Sequence, residues 1–362
     1  MRFSKQLLLI LLLLPLAGSG LAQEAEVEIE PRPADRAPLA HESLMLDVVR
    51  AGERYVAVGE RGHVVISRDG REWEQARFVP VSATLTRVAF SGGRLWAVGH
   101  DTTIIHSRDL GETWSIQHFE PGWEQPLLDV HFFNANEGVA IGAYGLFMRT
   151  TNAGRDWEVQ ELSDLVTSEA IDWQEAAQAE EELAADEVTD DTYGWDDELY
   201  DAGQDFDRGC YEFMECHLNG LLDLGDGRLM IAAERGYGFR STDGGETWES
   251  FRFPYPGSMF GLLPANDGIL AFGLRGNVQF SEDYGDNWEV LDSGMESTLM
   301  GGAINADGNP VMIGSGAAVL TYDVGSNLFR LSEDRLGSDY AAVLVTDTGR
   351  LIIAGEDGLR HE

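Results

Sequence analysis

The sequence predicts an all-β fold: a seven-bladed β-propeller of four-stranded blades, with an acidic, partly helical insertion between blades three and four. Three observations predict it. One octapeptide recurs six times, a common frame of short apolar strands and glycines precedes each copy, and the spacing stays near 40 residues except at one step. Four short strands in such a period are the mark of a propeller blade rather than of a helical solenoid.

The octapeptide comes first. Ser107 to Trp114 and Ser241 to Trp248 both read Ser-x-Asp-x-Gly-x-Thr-Trp, and Ser281 to Trp288 differs only by Asn287 for Thr. Thr150 to Trp157 is looser, Ser67 to Trp73 is one residue short, and Thr321 to Leu328 has lost the Trp. Trp73, Trp114 and Trp157 are 41 and 43 residues apart, and Trp248, Trp288 and Leu328 are 40 and 40 apart. The physical expectation is structural. Ser107, Ser241 and Ser281 with Asp109, Asp243 and Asp283 bond backbone amides of a tight turn between third and fourth strands. Gly111, Gly245 and Gly285 take positive φ, and Trp114, Trp248 and Trp288 pack between blades. A serine beside an aspartate resembles catalytic machinery, but every copy repeats it, so it belongs to the scaffold.

The frame comes next. In the first unit the strands are Leu46 to Val49, Tyr55 to Val58 and Val64 to Ser67, with Gly59 and Gly62 between the last two. Corresponding first strands begin near Leu85, Leu127, Leu218, Met259, Leu299 and Ala341, which makes seven units. The last, Tyr340 to His361, stops after its third strand. An open edge would remain, and Glu26 to Glu30 alternates polar and apolar residues as an edge strand should. We expect residues 23–43 to hold a closing strand and a linker.

The chain opens with basic Arg2 and Lys5, an apolar run from Leu7 to Leu16, and small residues up to Ala22. That order reads as a signal peptide, residues 1–22, cleaved near Ala22, so the expected location is periplasmic. The run is shorter than a membrane-spanning helix needs, so no membrane insertion is expected after cleavage. The formal charge is −38, and cleavage would remove Arg2 and Lys5. A field of that sign repels nucleic acid and anionic lipid.

The step from Trp157 to Trp248 spans 91 residues, so an insertion occupies about residues 160–210. From Glu158 to Cys216 there are 21 Asp or Glu and one base, Arg208. Ser168 to Glu187 lacks Gly and Pro and is rich in Ala and Glu, which fits a helix. The segment is either a solvated acidic loop or a partner-docking element, in which Trp173, Tyr193, Trp195 and Phe206 supply burial. Cys210 and Cys216, the only cysteines, pair as a disulfide in an oxidising compartment; a metal site with His217 is the alternative. Asp205 to Gly209 echoes a calcium loop without its bidentate Glu. No cofactor and no catalytic residue is assigned.

The octapeptides, together with the Ala-Val-Gly frame of Val56 to Gly62 and Trp96 to Gly99, make the chain resemble the photosystem II assembly and stability factor family. The resemblance covers the mature chain outside the insertion. It implies a seven-bladed propeller that assists a membrane protein complex. Cyanobacterial members resemble lipoproteins with a basic patch, whereas this chain has no Cys near the cleavage point and is acidic. Similar propellers in non-photosynthetic bacteria resemble periplasmic companions of resistance-nodulation-division transporters, so such a transporter is the expected partner, with a photosystem role as an alternative. Sialidases share the octapeptide, but their Phe/Tyr-Arg-Ile-Pro motif before the first copy is missing. Phe251-Arg252-Phe253-Pro254 follows the fourth copy instead, so a sialidase-like glycosidase is the other alternative.

Overall fold

A computed structural model describes residues 29–167, 216–332 and 337–362. Among them are seven antiparallel sheets, six of four strands and one of three. Each is a meander in which consecutive strands pair, as in Met45–Ala51, Arg54–Gly59, Val64–Ser67 and Glu74–Gln75 of blade one. The first strand of every blade lies innermost. These strands, Met45–Ala51, Leu85–Ser91, Leu127–Phe132, Leu218–Asp223, Met259–Ala265, Leu299–Ile304 and Tyr340–Val345, neighbour one another in order, and the seventh returns to the first. That closed ring is the seven-bladed propeller.

Second strands are apolar on both sides because a blade packs its two faces against two neighbours. Val56, Ala57 and Val58 are all buried, as are Leu95 to Val98 and Leu229 to Ala233. The core is accordingly divided between blades: one cluster joins Val56 and Val58 of blade one to Leu95, Ala97 and Trp114 of blade two. Fully burying one such side chain contributes roughly 1.5–3 kcal/mol, so blade-to-blade contact dominates stability.

The glycine ending most second strands has a steric cause. A Cβ on Gly59 would stand 2.1 Å from the Leu44 carbonyl oxygen, and one on Gly314 would stand 1.8 Å from that of Thr298. The turn amide after that glycine donates to the same carbonyl, Glu60 to Leu44 and Ser315 to Thr298. Each innermost strand also shifts register after its first residue, between Met45 and Asp47 and likewise around the ring. These bulges bend the strand where it starts.

Blade seven has three described strands, Tyr340–Val345, Leu351–Gly355 and Gly358–His361. Of the expected closing strand, Glu26 to Glu28 lie outside the described residues, and Ile29 and Glu30 belong to no strand. From Pro31 the chain follows blade one: the Ala34 amide donates to the Val79 carbonyl at 3.0 Å, and the Ala37 amide to Gln75 Oε1 at 2.8 Å. A single 3-10 turn, Ala40–Glu42, then abuts blade seven, where a Cβ on Gly358 would meet the His41 oxygen at 2.1 Å.

The insertion begins later than residue 160. Leu162 is 1 % exposed and packs with Phe147, Phe239 and Trp248. The Trp248 amide donates to the Leu165 carbonyl, and the Thr167 amide to the Trp248 carbonyl, at 2.9 and 2.8 Å. Residues up to Thr167, including the one-turn helix Leu162–Leu165, therefore belong to the propeller. The expected start of the insertion, near residue 160, accordingly moves to after Thr167. The expected helix Ser168 to Glu187 lies outside the described residues.

Candidate partner-binding face

In a four-stranded meander, first–second and third–fourth turns lie at one end. Second–third turns and blade-to-blade links lie at the other. The two faces of this propeller therefore differ in kind.

The octapeptides occupy the first face. The hydroxyls of Ser107, Ser241 and Ser281 accept the amide protons of Gly111, Gly245 and Gly285 at 2.9, 2.9 and 2.8 Å. They donate in turn to Oδ1 of Asp109, Asp243 and Asp283 at 2.9, 2.7 and 2.9 Å. The same Oδ1 atoms accept the amides of Thr113, Thr247 and Asn287, and the Oδ2 atoms accept their side chains. The turn needs two successive left-handed residues, which explains the glycine; Leu110 and Tyr284 bear the first at φ 55° and 62°. The box serves structure, with its donors and acceptors already engaged.

Burial raises the Asp243 pKa, but hydrogen bonds from the Thr247 hydroxyl and amide outweigh it, and the carboxyl is held down at about 2. Hydrogen bonding holds Asp69 and Asp283 low as well. A folded-state pKa below the ordinary 3.8 means stability that is present above about pH 4 and is lost as pH falls towards 2. We expect denaturant midpoints to fall steeply over that window and Asp243→Asn to flatten part of the slope. An equal slope in both proteins would remove the box from this account.

The box residue after the glycine was not assigned a role from sequence, yet it joins blades. Glu112 meets Arg54 of blade one at 2.8 Å, Glu246 meets Arg149 of blade three at 2.8 Å, and Asp286 meets Arg240 of blade four at 2.6 Å. Tyr284 adds a hydroxyl that donates to the Leu229 and Ser241 carbonyls of blade four.

The second face is open. Its second–third turns place Arg61, Tyr144, Arg235 and Arg275 at one equivalent position, each left-handed with φ between 54° and 56° and each exposed. A side chain in that conformation costs of order 1 kcal/mol or more. Three arginines at one strained, exposed position stand out in a chain with 25 Lys and Arg against 63 Asp and Glu. The following glycines are obligatory: a Cβ on Gly276 would meet the Met295 carbonyl oxygen at 2.4 Å.

After the insertion the chain rejoins the propeller on this face beside Tyr144. The Gly145 amide donates to the Cys216 carbonyl at 2.8 Å, and the His217 ring stands edge-on to Tyr144 at 5.1 Å. Nearby, on the first residues after the bulges of blades one to three, Arg87 lies between two buried carboxylates. It is 3.7 Å from Asp47 and 3.1 Å from Asp129. Asp47 Oδ2 accepts the Val88 amide, and Asp129 Oδ2 the Leu221 amide, so each carboxylate ties its blade to the next.

Of the residues proposed for partner contact, Trp173, Tyr193, Trp195 and Phe206 lie outside the described residues, as do Cys210 and the Asp205 to Gly209 segment. Cys216 is buried between blades three and four with Phe147 and Leu218. Among the described residues no group of three or more His, Cys, Asp or Glu side chains is arranged to hold a metal. The sialidase-like tetrapeptide is a packing element: Phe251 and Phe253 are buried against Trp288, and Arg252 lies 3.9 Å above the Tyr237 ring.

Fold and box geometry together define an Asp-box β-propeller with one structural face and one open face. The BNR/Asp-box repeat model matches residues 239–250, the fourth box. Among solved structures, YCF48 bound to a D1 peptide is similar, with TM-score 0.62 and 18 % identity over 92 % of this chain and 95 % of that one. YCF48 from Cyanidioschyzon merolae gives 0.61 and 17 % over 90 % and 97 %, and the WD40 β-propeller domain of Doa1 gives 0.60 and 12 % over 92 % and 95 %. At such identities the likeness shows the fold alone, and 1254 solved chains match, so architecture by itself assigns no activity. No curated protein matches the sequence.

Proposed function

We propose that this protein is a non-catalytic periplasmic propeller that binds and assists a membrane protein complex. A resistance-nodulation-division-type transporter is the complex we favour, with the propeller as accessory subunit or assembly factor. The observation that carries the reading is the likeness, over nearly the whole chain, to YCF48 bound to a D1 peptide. The open face supports it: Arg61, Arg235 and Arg275 offer charge-assisted donors to an acidic or carboxylate-ended segment. The insertion adds acidity and aromatic anchors for a basic partner surface. A Cys210–Cys216 disulfide would close the foot of that insertion.

The test uses tagged protein and native membranes. One variant replaces residues 168–207 with a Gly-Ser linker, leaving Leu162 to Thr167 in place. A second carries Arg61→Glu, Arg235→Glu and Arg275→Glu. Both are expected to keep the circular dichroism of the wild type and to lose at least tenfold in partner recovery. Recovery of an integral membrane transporter by the wild type supports the reading. Recovery of photosystem subunits would replace the transporter, and undiminished recovery by both variants would remove the open face as the contact.

A further inference from the structure

The junction between blades two and three departs from the charge pattern of its neighbours. In the boxes of blades two, four and five the residue after the glycine is acidic and takes an arginine from the preceding blade. In blade three that residue is Arg155. The arginines Arg149 and Arg240 immediately precede the box residues Thr150 and Ser241, and the equivalent residue of blade two is His106. The carboxylate is thus missing, and a base stands in its place on the lining that His106 shares.

A cavity of about 610 Å³ opens at this junction, lined by His106, Arg108, Ser115, Gln117 and Arg155 among others. His106 is 4 % exposed, and its Nε2 has no hydrogen-bond partner. Neither Arg108 nor Arg155 has an ion-pair partner among the described residues, although acids outnumber bases by 63 to 25 in the chain. Asp109, also in the lining, has its two oxygens engaged by Ser107 and Thr113 within the box. We infer that this cavity is an oxyanion site, in which a phosphate or carboxylate group takes the place of the acid that the neighbouring junctions carry. Arg108 and Arg155 supply the charge-assisted donors, and His106 supplies a third when protonated. Burial, and then the charges of Arg108 and Arg94, push the His106 pKa down to about 4. A bound anion opposes both effects and raises it. The site lies on the box face, so it is separate from the partner contact proposed above.

The test is titration of the full chain with inorganic phosphate, and separately with acetate, at matched ionic strength. Binding is followed by calorimetry and the His106 ring by NMR. Saturable binding with an upward shift of the His106 pKa is expected. Phosphate binding without acetate binding assigns a phosphate-type ligand, and comparable binding of both assigns a carboxylate-type one. Arg155→Glu, which restores the acid of the two neighbouring junctions, should keep the wild-type melting temperature or raise it while weakening binding at least tenfold. Arg108→Gln should weaken it as well, and Arg71→Gln, an exposed arginine on the same face, should not. Absence of saturable binding by either anion, or undiminished binding in both Arg155→Glu and Arg108→Gln, would overturn the assignment.

Discussion

Replacing Arg87 with leucine is expected to destabilise the propeller by about 3 kcal/mol. Breaking a buried ion pair by removing one partner leaves an uncompensated charge and costs roughly 3–5 kcal/mol. The lower end applies here because the Arg87 side chain keeps 30 % of its exposure, while those of Asp47 and Asp129 keep 10 % and 11 %. The loss should depend on pH in a definite direction. Burial raises the Asp47 pKa to about 6, and Arg87 is the largest influence opposing that rise. A folded-state carboxyl pKa above the unfolded value favours the protonated fold, so stability is present below about pH 4 and is lost as pH rises through 6. Without Arg87 the rise is larger, so the deficit of Arg87→Leu should be greater at pH 8 than at pH 5. Denaturant unfolding at the two pH values checks this. An equal deficit at both would assign the effect to packing rather than charge.

Trp248→Ala is expected to cost about 3–5 kcal/mol, the range for truncating a large buried aromatic. Trp248 is 0 % exposed and sits edge-on to Phe147 of blade three at 5.9 Å, within the cluster that joins blades three and four. Its backbone also anchors Leu165 and Thr167, so the segment leading to the insertion should loosen with it. Trp114, 3 % exposed in the junction of blades one and two, should behave similarly. Trp157 and Trp288 are only half-buried and should cost less when truncated. Equal losses at all four positions, read from denaturant midpoints, would contradict the inter-blade packing account.

Much of this was legible in the chain itself. The box forms a turn from hydrogen bonds within five residues, Ser107 to Gly111 and Asp109 to Thr113, so residue types at fixed spacing specify it. The sixth copy shows the limit. Leu328 holds the Trp position and is 64 % exposed, while the Tyr322 and Phe329 rings meet at 4.9 Å, tilted by 36°, in the core shared by blades five and six. Alignment of the repeat located the position, but packing moved the aromatic role to other residues.

The open face was less legible. Arg61, Arg235 and Arg275 each precede a turn glycine, Gly62, Gly236 and Gly276, a register the repeat frame carries without showing that the three share a face. Their shared left-handed turn became visible only in the backbone. The aromatic residues of the insertion were readable as an oddity of composition, and their surroundings lie outside the described residues.

The sequence by itself determined blade number, the order of strands, the box turns and the inter-blade burial of Trp114 and Trp248. Each depends on short-range spacing or on a period that repeats. The tertiary structure alone decided how one blade answers the next. Arg87 finds Asp47 and Asp129 by ring closure, Leu162 to Thr167 join the fold through Trp248, and the chain from Pro31 follows blade one before its single turn touches blade seven. Such pairings join residues about 40 or more apart, and any of several partners would suit the local sequence. Only the geometry of the closed ring selects among them.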